Sequence, residues 1–331
     1  VKEPVKTTLP GGLGIDTNLK LAPFTSWLVG GEAEFAVQPK NEPELREAIA
    51  WALLARQPIT FLGGGTNVLI SDRGVSGLTV LLRKLEGTSV EESAERLGVE
   101  CLAGTSKSEL LKIFLKYRLE PALFLAGLPG DVGGGIVMNA GVGEMIRPRE
   151  FVELVEWIEV LSWREVDISG SVENPEDIVR VANSLELRRY RSEELHWRYR
   201  HCTGWEPGVI VRVKLGWANA PHADILQRVK TANRARLVKQ PLDMPSCGSV
   251  FVNPPPETSA LKSGQLIEQS GLKGFSIGGA KVSEKHANFI VNCGGAKATD
   301  IDLVIRHVQK TVAEKFAVSL RTEVVYLGDW T

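Results

Sequence analysis

Two glycine-rich runs are the first places where this chain could do chemistry: Gly63-Gly-Gly-Thr-Asn67 and Gly127-Leu-Pro-Gly-Asp-Val-Gly-Gly-Gly135. Glycine lets backbone N–H groups approach an anion closely and adopt positive φ, so such runs make natural pyrophosphate cradles. Neither run is followed by Gly-Lys-Ser/Thr, which disfavours a nucleoside triphosphatase. Neither opens a helix as G-x-G-x-x-G with an acid about 20 residues further on, so a plain Rossmann site has weak support. Two loops on separate blocks, each after an apolar run read as a strand, suit a diphosphate gripped from both sides, such as that of FAD. The plainer alternative, two tight turns, stays open on these residues alone.

Other reactive side chains are less telling by themselves. Ser249 follows Gly248 as a turn serine does. Arg200 belongs to a group with Arg189, Arg191 and Arg198, most of which should be solvated. Glu323 stands in a β-branched run, where an outward edge-strand charge is the ordinary explanation. Cys247 precedes Gly248 but has no histidine and orienting acid to activate it, so it is expected to be a packed small side chain. His196, His201, His222 and His307 show no HxxxH or acid-paired spacing, and the cysteines form no CxxC. No metal site and no disulfide framework is expected.

The elements that must position these groups fall into three blocks. After a ragged lead-in over residues 1–24, Glu34 to Pro39 reads as a strand. Asn41-x-x-Glu44 then opens a helix over 43–56, with Leu45, Ile49 and Leu53 on one face and Pro58 beyond its end. Ile59–Leu62 is a strand that delivers the first glycine run at its C-terminal end, where α/β units bind ligands. In the second block, strands at 88–92 and 98–102 precede a helix opened by Ser106-x-x-Glu109. A strand at 152–160 follows, and the polar stretch around Asn174-Pro175-Glu176 reads as a surface insertion within 161–190. Ala218 to Lys239 is expected as a helix cut off by Pro241. The third block holds a helix at 261–270, a long helix at 298–315 with Val304, Val308 and Val312 on one face, and an alternating strand at 320–327. The fold class is α+β.

Composition bounds the rest. The chain has 331 residues, enough for two or three domains, and 43% apolar content, enough for a sizeable core. Lys and Arg total 39 against 40 Asp and Glu, which argues against wholesale attraction to nucleic acid or a membrane surface. Four scattered cysteines make a reducing cytosol the expected compartment. The polar N-terminal stretch does not read as a signal peptide, and no run approaches the ~20 apolar residues of a membrane span.

Several motifs together resemble the UDP-N-acetylenolpyruvoylglucosamine reductase family. They are Thr25-Ser-Trp-Leu-Val-Gly-Gly31, Phe61-Leu-Gly-Gly-Gly-Thr-Asn-Val-Leu-Ile-Ser-Asp72, the run from Gly127 to Gly141, and Tyr199-Arg200. Gly248-Ser-Val-Phe-Val-Asn-Pro254, Gly271-Leu-Lys-Gly274, the run from Gly278 to Asn288 and Glu323-Val-Val-Tyr-Leu-Gly328 complete the set. They occur in family order from about residue 23 to 328. The resemblance implies a cytoplasmic flavoenzyme of peptidoglycan synthesis that passes hydride from NADPH through FAD N5 to an enolpyruvyl double bond. It implies a two-subdomain FAD-binding fold of the vanillyl-alcohol-oxidase (PCMH) type plus a C-terminal α+β substrate-binding domain. On this chain that gives a lead-in at 1–22, FAD-binding subdomains at 23–85 and 86–216, a substrate domain at 217–319, and a terminal strand at 320–331 returning Glu323 to the site.

The same resemblance carries roles onto matching positions. Ser249 would donate the proton, Arg200 would meet the substrate carboxylate, and Glu323 would face the developing enolate. Non-covalent FAD would lie against Gly63, Gly64, Gly65, Thr66, Asn67, Pro129, Gly130, Gly133, Gly134, Asn139 and Gly141. The UDP-sugar would be bound by Tyr199, Lys239, Asn253 and His286, and the protein is expected as a monomer. Leu28 and Val252 depart from basic residues common in the family, and no loop bearing a substrate-capping Tyr is found, which places the chain with the shorter subgroup. A flavin oxidase of the same fold and a non-catalytic flavin- or UDP-sugar-binding protein are the competing expectations. Against the first, Gly63–Asp72 has no His or Cys to tether flavin; against the second, all three reactive residues are present.

Overall fold

A computed structural model describes residues 7–142 and 147–330. The chain divides into two units, one built from Val1–Asn18, Glu34–Gly64 and Gly77–Asn233, the other from Leu19–Ala33, Gly65–Ser76 and Arg234–Thr331.

The helix Glu42–Leu54 of the first unit starts as its sequence dictates. Asn41 Oδ1 accepts from the Glu44 amide at 3.0 Å while the Glu44 carboxylate accepts from the Lys40 amide at 2.7 Å, so two otherwise orphaned donors are satisfied reciprocally. Leu45 and Ile49 are fully buried. The strand Ile59–Leu62 pairs in parallel with the C-terminal part of Val75–Leu81, Leu62 lying opposite Leu81, inside a five-stranded sheet. A second, antiparallel sheet has the order Glu186–Arg191, Val155–Ser162, Gly208–Ala218, Arg96–Leu102, Thr88–Glu92. Leu110 and Phe114 of the helix Lys107–Lys116 pack on one face of it, against Leu97, Val99, Ile158 and Val213. Leu161, Val209 and Val211 join a separate core with Leu45, Ile49, Leu78 and Val80.

Three expectations need correction here. The 161–190 stretch is not a surface insertion: it folds as the helix Pro175–Ser184 and the edge strand Glu186–Arg191. Ile178, Val181 and Ala182 are buried in the same core as Ile49, and Arg46 Nη1 donates to the Leu185 carbonyl at 2.6 Å. Its polarity misleads because a ten-residue helix needs only one narrow apolar stripe to dock. The second glycine run does not follow a strand. It follows the short helix Pro121–Leu125, and Gly133–Gly135 lie inside the helix Val132–Val137. The helix expected from Ala218 starts only at Ile225, because the strand Gly208–Ala218 occupies the earlier residues.

In the second unit the helix Ala298–Phe316 buries Ile301, Val304, Ile305, Val308 and Val312 against Leu266, Ile267, Val282 and Ile290. Its first turn is tied by Asp72, whose carboxylate accepts from the Ala298 and Thr299 amides, each at 2.8 Å, and from the Thr299 hydroxyl at 2.7 Å. Burial acts to raise the Asp72 carboxyl, but these bonds outweigh it and hold the group below its ordinary range. The terminal strand is shorter than its alternation suggests. It is broken in two: Thr322 forms an isolated antiparallel bridge with Phe251, and Val325–Leu327 pairs in parallel with Val68–Ile70, with Leu320 and Val324 buried on the expected face.

Among the described residues no helix is long and apolar enough to cross a membrane.

Candidate functional site

In the first unit the two glycine-rich segments touch. A Cβ on Gly64 would stand 2.8 Å from Gly130 Cα, a separation no side chain tolerates, so glycine is required for this approach. The Arg83 guanidinium donates to the Gly64 carbonyl at 2.7 Å and fixes the loop from the side. The second segment is pinned from beneath: Lys107 donates its amide to the Gly130 carbonyl at 3.0 Å and its Nζ to the Pro129 carbonyl at 2.7 Å. Gly133 donates its amide to the Ala103 carbonyl at 2.8 Å, whereas Gly134 is exposed with open space where a Cβ would stand.

Lys107 and Asp131 are both buried under this contact. Burial pulls the Lys107 ammonium down to about 8, opposed by the charge of Asp131. Burial pushes the Asp131 carboxyl up to about 6, opposed by Arg83 and Lys107 and reinforced by Glu86.

Asn139 and Arg200 belong to the same unit and share one carboxylate. Asn139 Nδ2 donates to Glu150 Oε2 at 2.9 Å and to the Arg198 carbonyl at 3.1 Å. Arg200 Nη1 lies 3.4 Å from Glu150 Oε1, and its Nη2 donates to the Gly141 carbonyl at 3.3 Å. The backbone of Arg200 has φ +59°, a left-handed conformation that a non-glycine residue keeps only when neighbours fix it. Tyr199 is exposed and its ring lies 4.6 Å from the guanidinium carbon. Glu150 is the residue that motif reading misses: no glycine run or conserved-looking spacing marks it, only its position eleven residues after Asn139.

In the second unit, Gly65, Thr66 and Asn67 form a turn against the 24–31 segment. Gly65 has φ +63°, a Cβ there would overlap the Phe24 carbonyl, and the Gly65 carbonyl accepts from the Ser26 amide at 2.9 Å. Asn67 Nδ2 donates to the Glu323 carbonyl at 3.0 Å, and the Asn67 carbonyl accepts from the Val325 amide at 3.0 Å. Glu323 in turn donates its amide to the Val250 carbonyl at 2.7 Å, one residue beyond Ser249. Glu323 is half-buried and lies in a bend before the strand rather than within it. The Ser249 segment is held on its other side by Asn288, which accepts from the Phe251 amide at 3.0 Å and donates to the Phe251 carbonyl at 2.8 Å.

The remaining expected residues divide. Asn253 Oδ1 accepts from the Ser263 amide at 3.1 Å and so caps the helix Ser263–Gln269. His286 Nδ1 accepts from the Asn288 amide at 3.2 Å, and burial, with the charge of Lys273, holds the imidazole below its ordinary value. Its link to Ser249 runs through Asn288. Lys239 is exposed at the end of the helix Ile225–Lys239. Leu28 is exposed and left-handed at φ +57°, and Val252 is buried. Cys247 is a packed thiol whose Sγ faces the Val68 carbonyl at 3.5 Å, and burial pushes it up to about 12. Cys101 and Cys202 are buried as well, and burial pushes each up to about 12; Cys293 is exposed. No group of three or more potential metal-ligating side chains occurs among the described residues.

Comparison with known proteins decides what this arrangement belongs to. Residues 240–327 match the model of the UDP-N-acetylenolpyruvoylglucosamine reductase C-terminal domain, and residues 33–164 match that of an FAD binding domain. A UDP-N-acetylenolpyruvoylglucosamine reductase of Synechococcus elongatus is 38% identical over 94% of this chain and 93% of its own. The chain belongs to the UDP-N-acetylenolpyruvoylglucosamine reductase family. The reductase of Prochlorococcus marinus is 39% identical over 97% of this chain and 98% of its own. The crystal structure of the reductase from Thermus caldophilus matches with TM-score 0.70 at 29% identity, covering 95% of this chain and 98% of that one. For this reductase family the FAD-binding assignment agrees with the residues present. The Gly64–Gly130 approach brings two side-chain-free segments together, and Gly134 of the second run is exposed with open space where a Cβ would stand, which fits a diphosphate.

Proposed function

We propose that this protein is an NADPH-dependent reductase that converts UDP-N-acetylenolpyruvoylglucosamine to UDP-N-acetylmuramate in the cytoplasm, acting as a monomer. The observation that carries the mechanism is the bonded chain Asn67–Glu323–Val250 in the second unit, which ties a glycine-turn residue to the acid and to the neighbour of the hydroxyl. Bound FAD would supply the redox chemistry, a route for hydride from NADPH to the enolpyruvyl carbon. Gly63, Gly64, Pro129, Gly130, Gly133 and Gly134 would hold its diphosphate, and Gly65, Thr66, Asn67, Asn139 and Gly141 would also contribute to its binding.

Hydride addition builds enolate character next to the substrate carboxylate, and the protein's task is to stabilise that charge and end it with a proton. Arg200 offers a planar fork of donors to the carboxylate. Glu323 would face the enolate, with its backbone held by Val250 and Asn67 on either side. Ser249 gives its hydroxyl proton to the carbon and is replenished from water. A hydroxyl is a weak acid in water, but a carbanion-like centre is a strong enough base to take its proton. Tyr199, Lys239, Asn253 and His286 bind or frame the UDP-sugar.

Anaerobic mixing tests this. The purified protein is expected to be yellow, to bleach with NADPH and to regain colour with the enolpyruvyl sugar in the absence of oxygen. Colour returning only with oxygen would mark an oxidase, and no bleaching would mark a binding protein.

A further inference from the structure

The mechanism leaves the buried carboxyl of Asp131 without a task. Asp131 lies inside the second glycine run and is only 7% exposed. Its Oδ2 has no hydrogen-bond partner among the described residues. Both carboxyl oxygens point at the first run: Oδ2 lies 3.4 Å from where a Gly63 Cβ would stand, and Oδ1 the same distance from that of Gly64. A native fold rarely leaves a buried carboxyl oxygen orphaned, and such an atom calls for an explanation. Here the group lies against the first glycine run, which the proposed function assigns to an anionic cofactor.

We propose that Asp131 sets the charge of the cofactor cradle: FAD is taken up with this carboxyl neutral, and binding draws one proton from solvent onto it. The inference rests on the assignment of the two glycine runs to the cofactor diphosphate. An ionised Asp131 would place negative charge under a diphosphate with only backbone between them, in surroundings too dry to screen it. Protonation removes that repulsion and gives the orphaned Oδ2 a hydrogen to donate.

The groups facing Asp131 fit this role. Arg83, from the turn Leu82–Lys84, and Lys107, from the start of the helix Lys107–Lys116, favour the ionised form, while Glu86 opposes it. Lys107 already spends its Nζ on the Pro129 carbonyl, and the Arg83 guanidinium donates to the Gly64 carbonyl. Burial outweighs both cations and leaves the carboxyl near 6 without cofactor. The sign follows. Below that value the proton is already in place and affinity is flat; above it, each FAD bound must take up a proton, so affinity falls as pH rises.

Titration of FAD into the deflavinated full-length chain, followed by flavin fluorescence, tests this directly. Between about pH 5.5 and about pH 7.5 the affinity should fall by about 25-fold, and calorimetry in buffers of different ionisation enthalpy should report net proton uptake at the upper pH. The diphosphate of FAD keeps its charge over this range, so the slope belongs to the protein. Asp131→Asn, which keeps shape and a donor but cannot ionise, should bind with no slope and, at the upper pH, about 30-fold more tightly than the parent. A flat parent profile without proton uptake, or a slope that survives in Asp131→Asn, overturns the proposal, and the parent measurements decide it even if the variant does not fold. Absence of FAD binding at every pH by folded protein would overturn the cradle assignment as well, so the two failures are distinguishable.

Discussion

Asn67 donates its side-chain amide to the backbone carbonyl of Glu323 at 3.0 Å, joining two residues 256 positions apart. The glycine turn and the C-terminal segment are therefore one structure, since Val325 also donates its amide to the Asn67 carbonyl. Asn67→Ala should lower stability by about 1–2 kcal/mol by removing the side-chain hydrogen bond to the Glu323 carbonyl. Denaturant unfolding measures the loss, and a parallel fall in the rate of reoxidation by the enolpyruvyl sugar would show that Glu323 has moved.

Ser249→Ala separates the two halves of the reaction. Bleaching by NADPH should stay close to the parent rate, while reoxidation by substrate slows by orders of magnitude, at least the ~100-fold typical of a lost general acid. Stopped-flow absorbance under nitrogen measures both, and equal slowing of the two would remove the assigned role.

Glu150 serves both Asn139 and Arg200 through its two oxygens. Glu150→Ala should raise the KM for the enolpyruvyl sugar by about tenfold, because the Arg200 fork loses a fixed orientation worth roughly 1.4 kcal/mol. Steady-state kinetics with NADPH saturating and then limiting would show whether the defect stays on the sugar side.

Lys107 gives a stability signature. Its ammonium is displaced from 10.5 to about 8 by burial, so the folded state releases this proton before the unfolded state does. Stability should therefore rise with pH from about 8 to about 10.5, by about 3 kcal/mol from this group. Lys107→Met should flatten that rise, as read from urea midpoints across the alkaline range.

Gly134 is exposed and a Cβ there meets nothing within 4 Å. Gly134→Ala should leave the thermal midpoint unchanged or slightly raised, since alanine suits a helix better than glycine. FAD retention on a desalting column should nevertheless fall, because the added methyl occupies the surface assigned to the diphosphate.

Local signals were legible wherever a cap or a stripe speaks for itself. Asn41 and Ser106 start their helices as expected, and Val304, Val308 and Val312 face the core. The Asn174-Pro175-Glu176 stretch misled for a physical reason: three buried apolar positions suffice for a short docking helix, and its charges dominate the composition. Glu323 misled differently. Its β-branched neighbours suggest a strand, yet the backbone at 321–323 bonds to Val250 and Val252 from distant sequence, which no local pattern encodes. The same holds for the site as a whole. Motifs named Asn67, Ser249 and Arg200, but the side chains that hold them, Glu150 and Asn288, act through contacts known only once the chain is folded.

The cysteines have a practical consequence. Three thiols are locked in the interior and kept protonated far into the alkaline range, while Cys293 stands in the open. A maleimide dye applied to the native enzyme should thus attach at one address without any engineering. Energy transfer from that dye to bound flavin would turn cofactor loading into an optical signal from the unmodified sequence.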